Sequence, residues 1–188
     1  KAILRGVAYD YLKNDMLQPL IELAGLTADN TIAELLGILG LEVSSDIGHL
    51  SISELKSEKE IKEKISVYIR CCDHPGLQEL RDDNICFKKY LCSVLKEDNV
   101  FVDIGWKGTM QKHIQKFCEI NGMPCAITGL YLGVLDSNMK NGFIFSQLNK
   151  WAHNALCFSG ILETIFMPEH GSVLNYQCNE QKIIPIFD

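Results

Sequence analysis

The chain reads as an α/β protein: a small, mainly parallel sheet built around a βαβ unit, with a helical N-terminal part and a C-terminal β-hairpin. Three observations predict this. Residues 1–50, 53–70 and 77–95 carry apolar residues at helical spacing. Val100–Ile104, an amphipathic run over Thr109–Ile120 and the apolar run Ala126–Leu135 together have the length of one strand–helix–strand unit, whose two strands are normally parallel neighbours. Ser172–Tyr176 and Lys182–Phe187 flank Asn179-Glu180, a hairpin pattern.

Taken in order, Met16, Leu17, Leu20, Ile21 and Leu23 define one buried helical face, with Pro19 in a first turn. Thr27 or Asp29 can cap a helix through Ile32, Leu35, Leu36 and Leu39, and Gly40 suits its end. Asp46–Ser53 reads as a loop and a new cap. Ser53–Arg70 reads as a charged helix whose Lys and Glu residues pair at i,i+4 on a solvated face. After a break at Cys71–Gly76, Leu77–Leu95 resumes helical spacing through Leu80, Ile85, Tyr90, Leu91 and Leu95. Met110, Ile114, Phe117 and Cys118 mark the inner face of the next helix, which stops at Asn121-Gly122. Ala126–Leu135 is apolar enough for a strand buried on both faces. Phe143–Phe145 suits a short strand and Trp151–Phe166 an apolar helix. The organisation expected is a mainly helical part over 1–95 and an α/β part over 96–188, one compact fragment of a larger protein with flanking domains as partners.

At 188 residues, 47% apolar and 22% charged, the composition is that of a globular domain with a core. A formal charge of −6 argues against general binding to nucleic acid or an anionic membrane surface. No stretch has the ~20 apolar residues of a membrane span. Of eight cysteines, several fall in apolar patterns and none forms a CxxC pair, so free thiols and a cytoplasmic location are expected.

The chemistry concentrates in Val100–Gln111, VFVDIGWKGTMQ. Asp103 stands at the carboxyl end of a parallel strand, where ligands of open α/β sheets bind. Gly105 and Gly108 permit close backbone approach, Lys107 supplies charge, Thr109 a hydroxyl and Gln111 a neutral donor, at a helix N-terminus that favours an anion. The spacing is neither the GxxxxGK[ST] nor the GxGxxG fingerprint. The alternative is a structural strand-to-helix turn with Asp103 as its cap. Glu163, with Glu169 and His170, forms an acid/base group with Asp103 if the fold gathers them. Asp136 ends the second strand, and Trp106 and Trp151 are aromatic surfaces for a sugar or base. Cys71-Cys72-Asp73-His74 lacks chelating spacing, so no metal is expected.

Tyr90-Leu91, Val102-Asp103-Ile104-Gly105-Trp106-Lys107-Gly108-Thr109-Met110-Gln111 and Gly129-Leu130-Tyr131-Leu132-Gly133 resemble a known region. It follows the phosphatase-like domain in large hydrolases of the haloacid dehalogenase superfamily. Leu162-Glu163, Gly171-Ser172-Val173 through Tyr176, and Pro185 extend the similarity over roughly residues 75–188. The resemblance implies a bacterial surface-polysaccharide setting, beside or fused to glycosyltransferases, and a functional use for the Asp-Ile-Gly-Trp-x-Gly-Thr turn. The Asp-x-Asp nucleophile motif of that superfamily is absent, so its phosphatase chemistry does not carry over. Two functions follow as expectations: binding or processing of a phosphorylated or nucleotide-activated sugar, or a non-catalytic module positioning a neighbouring hydrolase or glycosyltransferase domain.

Overall fold

A computed structural model describes residues 2–43, 45–57, 63, 67, 75–103, 108–134, 142–146, 173–179 and 182–187. The protein is α/β, and its chain divides into two units. The first comprises residues 1–91 and 173–186, and the second 92–172 with 187–188.

In the first unit, helix α1 spans Ala2–Lys13, α2 Leu17–Ala24, α3 Ile32–Ile38, α4 Ser45–Gly48, α5 Ile52–Ser57 and α6 Pro75–Val94. Pro19 lies in the first turn of α2. The residue that caps α3 is Thr31, not Thr27 or Asp29. Its hydroxyl accepts from Glu34 N–H, and the Glu34 carboxylate accepts from Thr31 N–H at 2.6 Å. Thr27 and Asn30 instead bond each other just before it, Thr27 N–H donating to Asn30 Oδ1 at 2.8 Å. At α5, Ser51 N–H and Oγ both donate to the Glu54 carboxylate, at 2.6 and 2.8 Å, and Glu54 N–H donates to Ser51 O at 3.1 Å. These backbone N–H bonds hold both carboxyls below the usual carboxylate range, helped by the Asn30 and Thr31 side chains at Glu34 and the Ser51 hydroxyl at Glu54. The two helix starts meet in an antiparallel bridge between Thr31 and Ser51. Residues expected as loop therefore carry α4 and the first turn of α5. Most of the charged helix expected over Ser53–Arg70 lies outside the described residues.

The buried stripe of α6 is Gly76, Leu80, Asp83, Asn84, Phe87 and Leu91. Ile85, expected in the core, is exposed because the stripe turns on 80, 83/84 and 87. Two polar residues in that stripe are satisfied by partners on other elements. Arg5 Nε donates to Asp83 Oδ2 at 2.6 Å, and Asn84 Nδ2 donates to Gly6 O at 2.8 Å and to Asp10 Oδ2 at 3.1 Å. Gly6 lets α1 approach α6: a Cβ there would stand 2.7 Å from Phe87 Cβ.

Strands β4, Val173–Cys178, and β5, Ile183–Phe187, form the expected hairpin. Asn179 N–H donates to Lys182 O at 3.0 Å, and Lys182 N–H to Asn179 Oδ1 at 2.7 Å. Strand β4 packs on α1, and its Asn175 amide donates to Asp83 Oδ1. Tyr176 stacks on Tyr90 with ring centroids 4.2 Å apart. Burial, then hydrogen bonding to Tyr90, pushes the Tyr176 phenol above its ordinary range. Cys86 and Cys178 are joined by a disulfide with Cα atoms 5.4 Å apart, which corrects the expectation of free thiols for this pair. No local pattern announces it, since the cysteines are 92 positions apart in sequence.

In the second unit, β1 is Asp98–Asp103, helix α7 Thr109–Ile120, β2 Ala126–Val134 and β3 Gly142–Ser146. The order is β1-β2-β3 and both pairings are parallel. Asp98 pairs with Ala126 and Asp103 with Tyr131, so the βαβ unit forms as expected, with β1 starting two residues early. Gly122 takes a positive φ of 62° just past the end of α7. Helix α7 buries His113, Ile114, Phe117 and Cys118, while Met110 is exposed. Along β2, Ile127, Gly129 and Tyr131 are buried while Ala126 and Thr128 are exposed. The start of this strand is therefore covered on one face, not both, and its neighbours Val100 and Val102 are 62% and 82% exposed. The helix expected over Trp151–Phe166 lies outside the described residues.

Candidate functional site

The central segment has the strand ending at Asp103 and the helix opening at Thr109 that the sequence predicts. Asp103 is the last residue of β1, at the carboxyl end of a parallel strand, and its pairing with Tyr131 fixes its backbone. The Asp103 side chain and residues 104–107, including Gly105, Trp106 and Lys107, lie outside the described residues. Glu163, Glu169, His170, Asp136 and Trp151 lie outside them too.

Gly108 is the N-cap of α7, with φ 58° and ψ 22°, and no side chain caps the helix through it. A left-handed N-cap favours glycine, because a Cβ would crowd the following carbonyl. Gly108 O accepts the first helical bond, from Lys112 N–H at 3.0 Å. The first N–H groups of a helix lack intrahelical acceptors, and their partial positive charge is directed out of the N-terminus. Thr109 opens the helix here, half-buried, and Gly108 is buried. Gly108, Thr109 and Gln111 are thus brought together at one helix end.

Gln111 faces the sheet. Its Nε2 donates to Ile127 O at 2.8 Å, and its Oε1 accepts from the Tyr131 hydroxyl. Gln115, one turn on, donates to the same carbonyl at 3.4 Å. Gly129 makes room for this cluster, since a Cβ there would lie 2.6 Å from Tyr131 Cζ. Gln115 is not singled out in the sequence, and Gly129 and Tyr131 enter there only through the family resemblance, not as site residues. The available signal was the alternation in β2, which puts 127, 129 and 131 on one face. Deeper in the unit, burial, then a hydrogen bond with Cys125, pushes the Cys118 thiol up to about 12, which keeps it protonated.

Among the described residues, no three His, Cys, Asp or Glu side chains gather where a metal ion would sit. No described helix is long and apolar enough to cross a membrane. The chain matches no family model, no curated protein and no solved structure.

Proposed function

We propose that this chain is a domain of a bacterial surface-polysaccharide synthesis protein that binds or processes a phosphorylated or nucleotide-activated sugar in the cytoplasm, with the β1–α7 turn as its phosphate site. The observation that carries this reading is the start of α7: a glycine N-cap in the left-handed conformation, five residues after the carboxyl end of a parallel strand. In this reading the N–H groups at Gly108 and Thr109 and the Thr109 hydroxyl hold phosphate oxygens. Lys107 adds charge, Gly105 allows close approach and Asp103 orients a sugar hydroxyl. Glu163 and His170 are the acid/base residues proposed for a processing reaction. The polysaccharide setting rests on the resemblance of residues 75–188 described above.

One observation favours a second reading, a non-catalytic module that positions a neighbouring hydrolase or glycosyltransferase domain. Both polar ends of Gln111 are engaged with β2, so this side chain braces α7 on the sheet and is not presented to a ligand. Thermal shift against nucleotide sugars, sugar phosphates and inorganic phosphate separates the readings. A ligand at 100 times its dissociation constant stabilises by about 2.7 kcal/mol. The binding reading expects such a shift, and expects Asp103→Ala and Lys107→Ala to weaken it. No shift with any ligand, or one that both variants leave intact, favours the positioning module.

A further inference from the structure

The second unit is an insertion: the chain leaves the first unit near residue 91 and re-enters it near residue 173. Exit and return are fastened to each other within the first unit. Asp83, Cys86, Phe87 and Tyr90 recur at helical spacing on α6, and they meet Asn175, Tyr176 and Cys178 of β4. One of these contacts is covalent, the Cys86–Cys178 disulfide, and neither cysteine is fully buried. The same chain keeps free thiols at Cys92, which is exposed, at Cys125 and at buried Cys118. Among the described residues one bridge coexists with three free thiols, and in the reducing cytoplasm of the function proposed above, on which this inference rests, such a bridge is redox-sensing rather than structural.

We propose that Cys86–Cys178 is a reversible redox latch that clamps the β4–β5 hairpin onto α6 within the first unit. It closes by exchange with a low-molecular-weight disulfide. One cysteine thiolate attacks that disulfide and expels one small thiolate; the second cysteine then attacks the mixed disulfide and expels the other. Two electrons pass from the cysteine pair to the small disulfide, and the two protons leave the cysteines for the two released thiols. A dithiol reductant reverses the sequence and is itself oxidised to a disulfide. When open, the hairpin is held by the Asp83–Asn175 hydrogen bond, the ring contacts of Tyr176 and the packing of β4 on α1.

The test uses the full chain equilibrated in glutathione buffers of graded redox ratio, then alkylated with N-ethylmaleimide and digested for peptide mass spectrometry. The latch gives a Cys86–Cys178 cross-linked peptide in oxidising buffer, while Cys92 is alkylated throughout. Dithiothreitol makes both latch cysteines reactive and raises protease cleavage within the hairpin by about tenfold. Cys86→Ser abolishes this redox dependence, and Cys92→Ser preserves it. Alkylation of Cys86 and Cys178 in the folded protein under oxidising buffer, or a cross-link to another cysteine, overturns the proposal. So does a cleavage rate that reduction leaves unchanged. The unsubstituted protein alone decides these outcomes, whether or not Cys86→Ser folds.

Discussion

Two helical glycines should respond to the same substitution with opposite signs. Gly6 lies in α1 and Gly37 in α3, and neither has a positive φ. At Gly37 an added Cβ meets nothing within 4 Å. Gly37→Ala should therefore stabilise by about 0.5–1 kcal/mol, through the lower entropy of the unfolded chain and better helix propensity. At Gly6 the same atom would stand 2.5 Å from Phe87 Cδ1 and 2.7 Å from Phe87 Cβ. Phe87 is 2% exposed, and its Cβ sits at the root of the side chain, so it cannot swing aside. Overpacking of this kind costs about 1–3 kcal/mol. The propensity gain offsets part of that, leaving Gly6→Ala destabilised by up to about 2 kcal/mol. Any displacement of α1 also weakens the Asn84 to Gly6 hydrogen bond. Urea unfolding followed by far-UV circular dichroism reads both variants on one scale. Equal stabilisation by both would refute the close approach of α1 and α6.

Thr31→Ala should cost about 1 kcal/mol, because it removes the hydroxyl that accepts the Glu34 N–H, while Thr31→Ser should be nearly silent in the same urea assay. Tyr131→Phe should destabilise by about 0.5–1.5 kcal/mol by leaving Gln111 Oε1 without its donor, as read by chemical denaturation. The Glu34 and Glu54 carboxyls are lowered from 4.5 in the fold, so their stabilising contribution is present above that value and is lost as pH falls through the folded values. Carbon-detected NMR titration should place both below 4.5, and Thr31→Ala should return Glu34 toward it. The Cys118 thiol is raised from 9.0 to about 12, so its neutral form favours folding fully below pH 9 and this contribution fades as pH rises through 12. At pH 8 iodoacetamide should modify exposed Cys92 and spare Cys118 in the folded protein.

Local signals made much of this architecture legible. The bounds of α7 follow from the amphipathic run and Asn121-Gly122, and the parallel pairing of β1 with β2 follows from the length of the helix between them. The hairpin follows from two apolar runs around an Asn. Thr27, Asp29 and Thr31 are all competent caps by residue type, so type alone does not locate the cap of α3. The reciprocal pairing of Thr31 with Glu34 three residues on was the deciding signal. Asp83 and Asn84 were invisible as core residues because their partners lie on α1 and β4, far away in sequence. The same distance hid the Cys86–Cys178 bond. At the candidate site, sequence identified the strand end and the helix start. It assigned Gln111 to a ligand because its sheet partners, the Ile127 carbonyl and the Tyr131 hydroxyl, belong to the next strand.

The central claim, that the β1–α7 turn holds phosphate, is tested most directly by ¹H–¹⁵N NMR titration with inorganic phosphate and with a nucleoside diphosphate sugar. The account predicts saturable shifts centred on the Gly108, Thr109 and Met110 amides, with the sugar nucleotide binding more tightly than phosphate. Saturable shifts that leave these three amides unmoved, or none at all at millimolar ligand, would contradict it.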